Sequence, residues 1–484
     1  MILICGSGPT GLVLAICLQQ RNIPYRLIDQ KNGPTTHSKA LGIQARTLEV
    51  FDKIGCIAPF LEKGIQSDRI EIQCGDKNHL LHLDSINSPY PFVLVLPQSD
   101  TETILLNFLE KLGGKVEWNT SLDHVERDKF SWIIGCDGAH SRLRELMDLE
   151  FRGSAFPENF FLADVEIDAP LCLDGPLISL QSQGLSAVLP LYKGGKQFRL
   201  IFPLKEHETF ENSSAETLNA FLIGRGCLKW AHIRAVIWTS TFRIHRRHVS
   251  HMRKNNMILA GDAAHIHSPI GGQGMNTSIQ DALNLGWKLA LELEGVAAKN
   301  LMDSFEKERL PIAKSVLKGT TRATHLITFF SRTGLTSIFN CLLFFIQIKW
   351  VRKWMAKNIS ELALNYKNSP INLDSERFSK GPKVGSRAPD VTLQNGSSLF
   401  TLLRTPKFVI LLFEENAHFV QKLLPFSKWV DILVMHDSNL MKTYRAKNGS
   451  LYVVRPDGVI GYRAKKIEEE EVFKYLLRNF KPLF

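Results

Sequence analysis

No apolar run in this chain reaches the roughly 20 residues that a membrane-spanning helix needs. The longest, 338–348, is interrupted by Asn340 and Gln347. It reads as a buried helix, with contact at a membrane surface as the other reading, and no integral span is expected. No secretory leader is expected either. The apolar start MILIC runs straight into a glycine turn, without a basic n-region or a cleavage site. The eight cysteines form no C-x-x-C pair and no zinc spacing, and none occurs after Cys341. No metal site is therefore expected, and the thiols are expected to be reduced and buried in a cytoplasmic protein. A basic tail is also absent. The net charge is +11, but Lys and Arg are spread along the chain. That argues against a nucleic-acid partner and for attraction of phosphorylated cofactors and anionic substrates.

The 484 residues are enough for two or three domains with real cores. Residues 1–5 read as an apolar strand. Gly6, Ser7, Gly8, Pro9, Thr10 and Gly11 then fit G-x-G-x-x-G, a helix follows to about residue 20, and a second strand, 25–28, ends at Asp29 and Gln30. Gly6 permits the tight turn, Gly8 lets a pyrophosphate approach the backbone, and Gly11 lets helix and strand pack closely. Asp29 is placed to accept hydrogen bonds from a ribose diol. Strand, turn, helix, strand and acid occur in order, which makes a dinucleotide site a strong reading.

Three further segments point the same way. In 38–49, Arg46 could offer a planar fork to a phosphate, or pair with Glu49 at i,i+3 on one helix face. Gln98 precedes a helix in which Ser99 and Glu102 match a capping box. In 132–144 a strand leads into Asp137-Gly138, with Ser141 and Arg144 following. The longest pattern is 257–290, MILAGDAAHIHSPIGGQGMNTSIQDALNLGWKLA. A strand ends in Gly261-Asp262, a loop carries Pro269, Gly271, Gly272 and Gly274, Met275 and Asn276 follow, and an amphipathic helix comes after, read over 282–293. One carboxylate and a row of backbone N–H groups are thus set at a helix N-terminus, where an anionic ligand can sit. His265 and His267 read as loop-shaping residues rather than bases. Between 158 and 242 the pattern turns to period two, as in an antiparallel sheet. Residues 369–385 are polar and rich in Pro and Gly, and a second α/β pattern follows.

The glycine turn, the Asp-Gly motif and the 257–290 stretch, in this order, resemble the FAD-dependent aromatic hydroxylases. The tail, with its V-R-P-D-G-x-I hairpin at 454–460, resembles the thioredoxin-like domain of the phenol-hydroxylase branch. The resemblance implies an α/β protein: a Rossmann-like FAD-binding domain (1–160 and 245–330), an antiparallel-sheet substrate-binding domain (161–244), a helical connector (331–370) and a thioredoxin-like domain (383–484). It implies FAD contacts from Arg46, Gln98, Asp137, Gly138 and Asp262, with 269–276 along the flavin ring, and it names no catalytic side chain. The implied reaction uses NADPH or NADH and O₂, through a flavin hydroperoxide, to hydroxylate an aromatic, phenolic or polyketide-like molecule. The segment 119–131 is shorter than the family's β-meander. A carboxylate found in some phenol hydroxylases is replaced by Leu41, so a base for the substrate, where one is needed, has to come from elsewhere, or the substrate arrives as an anion. With no cysteine in the tail, disulfide exchange there is excluded, and packing or homodimerisation remains as its role.

Overall fold

The structure is a computed structural model. It describes the chain except residues 37–39, 169–174, 182–183, 205–207, 209–213, 225–231, 269–270, 334, 375–379 and 483–484. Its first layer is a sheet with strand order 253–254, 257–259, 132–135, 2–5, 25–28. The central strand Ile2–Cys5 is parallel to both Tyr25–Ile28 and Trp132–Gly135 and is buried throughout. Burial on both faces explains its unbroken apolar run. The helix Pro9–Gln19 is buried on nearly every side, because the long helix Gln273–Leu293 lies against it. Their closest approach is at Gly286, where a Cβ would stand 2.7 Å from Cys17 Cβ.

The second layer is an eight-stranded sheet. Its backbone is the antiparallel pair Phe151–Asp168 and His232–Val249, 18 residues each, with register shifts near Ala235, Trp238 and His245. The sheet extends beyond 161–244. The hairpin Arg69–Cys74/Lys77–His82 supplies two more strands, and Leu177–Gln181 joins it in parallel. The sheet is therefore mixed, with one parallel junction. Helices Asp303–Thr333, Thr336–Phe344 and Lys349–Ile359 cover this layer. Phe330, Phe339, Leu343 and Ile346 pack on Cys74, Leu81 and Leu180. The segment 119–131, expected to be shorter than in the family, contains two 3-10 turns, Leu122–His124 and Arg127–Lys129.

The third layer has strand order 373–374, 460–464, 451–454, 408–412, 430–434. Phe408–Leu412 is fully buried at its centre, and Glu469–Leu476 closes the chain as a helix. The turn of the V-R-P-D-G hairpin does more than connect two strands. Arg455 reaches out of the third layer and donates to both oxygens of Glu308, on the helix Asp303–Thr333, at 2.5 and 2.9 Å. Lys288 donates to Glu308 Oε2 at 2.7 Å. Asn284 bridges Glu308 and Asp457, at 2.7 and 3.0 Å. These side chains are sealed from solvent. Burial disfavours the Glu308 anion, but Arg455 and Lys288 outweigh it and hold the carboxyl below the usual range. Burial pulls Lys288 down to about 8 against the attraction of Glu308.

Removing one partner of such a cluster strands a charge. Arg455→Met is expected to destabilise the protein by about 3–5 kcal/mol, read from urea unfolding. A loss below about 1 kcal/mol would mean that Glu308 finds another partner.

Candidate active site

A cavity of about 1290 Å³ lies between the first two layers. Two helix N-termini face it, those of Pro9–Gln19 and Gln273–Leu293, and neither has a side-chain cap. The first-turn N–H groups of both are therefore free to meet negative charge. The three glycines of the first turn divide the work as their spacing predicts. A Cβ on Gly11 would meet Gly6 O at 1.9 Å, and one on Gly6, at φ +99°, would meet Cys136 O at 2.4 Å. A Cβ on Gly8 would meet no protein atom within 4 Å. Gly6, Gly8, Pro9 and Thr10 line the cavity, while Gly11 lies behind them as the packing residue. Asp29 and Gln30 line it too. Asp29 Oδ2 accepts from the Ser7 N–H and hydroxyl, both at 2.8 Å, and Oδ1 accepts from the Lys31 N–H at 2.9 Å. An ionised carboxylate has about four acceptor positions, so one is left for a ligand.

Asp137 and Gly138 form another wall. Asp137 Oδ2 accepts from the Leu143 N–H at 3.2 Å, whereas Oδ1 is buried without a protein partner. Burial pushes this carboxyl upward, against hydrogen bonds from Ser141 and backbone N–H groups. Ser141 caps the helix Arg142–Leu146. Arg144 donates to Ala263 O at 3.1 Å and Ala139 O at 2.9 Å, tying the Asp-Gly turn to the turn Gly261–Ala263. Gly261 itself is a packing residue. Its N–H donates to Asp281 Oδ2 at 3.0 Å, and a Cβ there would meet Thr10 Oγ1 at 2.7 Å. Asp262 is exposed and lines the cavity, as do Gly271, Gly272, Gly274 and Met275. Pro269 lies outside the described residues. Gln98 lines the cavity and donates to Glu102 at 2.9 Å. The capping box does not form, because the helix starts at Gln98 itself, with Pro97 at the cap.

Two expected contacts are displaced. Arg46 does not line the cavity. It pairs with Glu49 at 3.0 Å, the i,i+3 alternative, and donates to Asp457 O in the third layer at 2.8 Å. The helix Ala45–Lys53 points this side chain away from the glycine turn, so Arg46 belongs to the joint between layers. Asn276 is buried, with both ends of its amide used. It accepts from the Gln44 N–H at 2.8 Å and donates to Gly42 O and Gly272 O at 2.9 and 2.5 Å. It fixes the loop instead of facing a ligand.

The donors and the shape of this cavity fit FAD: two free helix N-termini, an open backbone at Gly8, and unpartnered acceptor capacity on Asp29 and Asp137. The sequence comparisons agree. The family described as "FAD binding domain" matches residues 1–131 and 129–320, and "Aromatic-ring hydroxylase, C-terminal" matches 381–481. The chain is 30% identical to a 6-methylpretetramide 4-monooxygenase of Streptomyces rimosus, over 96% of this chain and 91% of that protein. This chain belongs to the FAD-dependent aromatic hydroxylases. The hydroxylase is also 31% identical to a pentachlorophenol 4-monooxygenase of Sphingobium chlorophenolicum, over 85% and 79% of the two chains. An anhydrotetracycline hydroxylase structure from Streptomyces rimosus superposes with a TM-score of 0.80 at 25% identity, covering 99% of both chains. Enzymes of this family are flavoprotein monooxygenases that draw electrons from NAD(P)H.

Three further residues line the cavity: His267, which the sequence pattern marked only as shaping the loop, and Arg199 and Glu361, which it did not mark as site residues. His267 is buried and lines the cavity, and its Nδ1 has no protein partner. Its state follows from its neighbours. Burial would raise the Asp281 carboxyl, but Arg309 and His265 outweigh it and hold it at about 2, so Asp281 is an anion. Asp281 Oδ2 accepts from His265 Nε2 at 2.7 Å. His265 Nδ1 and His267 Nε2 share a hydrogen bond of 2.9 Å. Burial, then the neighbouring His265, keeps the His267 imidazole well below its ordinary pKa. The H-x-H spacing with an acid sixteen residues after His265 was the available signal. Arg199 also lines the cavity. It grips Asp164 through Nε and Nη2 at 2.7 Å each, and its Nη1 is buried without a partner. Glu361 is the third, bonded to the Thr277 hydroxyl at 3.0 Å and to Gln280. Burial pushes its carboxyl up to about 8, against Thr277, Arg309 and Gln280.

Gly8→Ala is expected to keep the fold but weaken FAD binding about tenfold or more, from the added methyl in the cradle. Gly11→Ala is expected to lose stability as well. Flavin fluorescence titration and thermal unfolding separate the two, and equal melting losses would contradict this division of roles. The raised Glu361 pKa has a definite sign. The folded state favours the neutral carboxyl, so its contribution is complete below the ordinary value of 4.5 and is lost as pH rises toward 8. Glu361→Gln is expected to remove that loss. Urea midpoints of both proteins between those limits test it, and parallel curves would contradict it.

Proposed function

We propose that this hydroxylase oxygenates an electron-rich phenolic or polycyclic ring held in the sheet-side half of the cavity. The observation that carries the reading is the continuity of one cavity from the two helix N-termini to an apolar wall. That wall includes Ile70, Ile72, Leu177, Leu185 and Leu189. Bound FAD supplies electron transfer from the nicotinamide and activation of O₂, and the side chains do the remaining work. Gly8, Asp29, Asp137 and Asp262 bind the nucleotide, and the N–H groups at 273–275 meet negative charge at the ring end. The apolar wall excludes water from the reacting carbon. Arg199 Nη1 donates to an oxygen substituent of the substrate. With the proton of the histidine pair on His267 Nε2, His267 Nδ1 accepts from a phenolic O–H and orients it. This supplies the substrate-handling acceptor that Leu41 does not. The activities of the relatives, on a pretetramide, an anhydrotetracycline and pentachlorophenol, support a hydroxylated ring as the substrate class. The buried free thiols Cys5, Cys17, Cys56, Cys74 and Cys136 suit a reducing, cytoplasmic setting.

The test is NADPH or NADH oxidation, O₂ uptake and product mass with anhydrotetracycline, pentachlorophenol and other phenols. A product heavier by one oxygen atom is expected for at least one. Turnover of NAD(P)H without any oxygenated product across the panel would turn the reading toward a reductase. With a turned-over phenol, His267→Ala is expected to lower kcat/KM by about 10- to 100-fold, while FAD binding is retained. The O-methylated substrate is expected to be insensitive to the change. Equal losses on the phenol and its ether would remove His267 from the assignment.

A further inference from the structure

The helical layer over the second sheet is apolar on two faces. Its inner face packs on Cys74, Leu81 and Leu180. Its outer face exposes Phe329, Ile338, Leu342, Phe344, Phe345 and Trp350, the last at 72%. One apolar stripe is what a covering helix needs for packing. A second stripe, left in water, marks a contact surface.

Charge identifies what covers it. Residues 310–360 contain no Asp or Glu but eight Lys and Arg. On the helix Lys349–Ile359, Lys349, Lys353 and Lys357 recur every fourth residue and all are exposed. None of the three has a carboxylate partner among the described residues. Trp350 and Trp354 form an adjoining row, also exposed. A row of ammonium groups beside a row of indoles is the pattern of a helix lying in the headgroup plane of a bilayer. Recognition by charge sign and apolar insertion asks for no fixed partner shape, and an anionic lipid surface supplies both. No described helix is long and apolar enough to cross a membrane, so the contact lies at the surface. Trp354, Met355 and Asn358 also line the cavity, which places this face beside it.

We propose that the exposed face of helices 303–333, 336–344 and 349–359 docks the hydroxylase reversibly on anionic phospholipid. The experiment is co-sedimentation of the full FAD-loaded chain with vesicles of phosphatidylcholine alone or with about 30% phosphatidylglycerol. Binding is expected to be at least about tenfold stronger to the anionic vesicles at low salt, and to fall at high salt. Trp350→Ser should weaken it, and Lys349→Glu with Lys353→Glu should abolish the anionic preference, with circular dichroism and NAD(P)H turnover unchanged. No binding to either vesicle, or equal binding to both, overturns the proposal. So does a homodimer in size-exclusion chromatography that Trp350→Ser dissociates while the wild type ignores vesicles, since a second copy would then cover this face.

Discussion

Glu308 is a carboxylate with no access to water, and much of the molecule is arranged around keeping it charged. An isolated anion in such a place would be far too costly. Here Lys288 and Asn284 from one helix and Arg455 from the terminal domain surround it. Lys288 and Asn284 sit on the helix whose N-terminus faces the cavity. Glu308 belongs to the helix that covers the second sheet, and Arg455 to the terminal domain. One buried charge thus fixes three layers at a common point. It also gives the third layer a task that needs no chemistry of its own, in keeping with its lack of cysteine.

The helix Gln273–Leu293 carries both ends of this arrangement. Near its start, Asn276 clamps Gly42, Gln44 and Gly272. One turn further, Asp281 holds the Gly261 N–H, His265 and Arg309 together. The residues that shape the loop, the histidine pair and the domain joint therefore share one rigid element. A shift at the joint is felt at the cavity without any intervening loop to absorb it. Arg46 adds a second path, since it reaches the Asp457 carbonyl from the helix that begins just after Gln44.

What was legible in the sequence was local. Gly6, Gly8, Gly11 and Asp29 lie within one strand-turn-helix-strand unit whose spacing fixes their geometry, and the Asp-Gly turn and the 257–290 stretch are similar cases. What was not legible depended on partners distant in the chain. Arg46 looked like a phosphate fork because nothing nearby in sequence reveals the Asp457 carbonyl 411 residues away. The hairpin at 69–82 joins the second sheet through Leu177–Gln181, a pairing across a hundred residues. The chain from Asp281 through His265 to His267 is one that only the folded arrangement assembles. The capping box at Ser99 failed for a nearer reason: the helix began one residue sooner than its best signal.

The paired strands Phe151–Asp168 and His232–Val249 extend far beyond the five or six residues of a usual strand. At roughly 3.3 Å per residue each spans nearly 60 Å. One end reaches the short strand His265–Ile266, beside His267, and the other continues along the second sheet. This pair acts as a beam. Its hydrogen-bonded ladder resists bending between the nucleotide layer and the substrate layer, so those layers cannot part like the halves of a shell. The covering helices, which line the cavity through Val316, Thr320 and Met355, are a boundary that the beam does not stiffen, and they can give way to a ring too large for an existing opening.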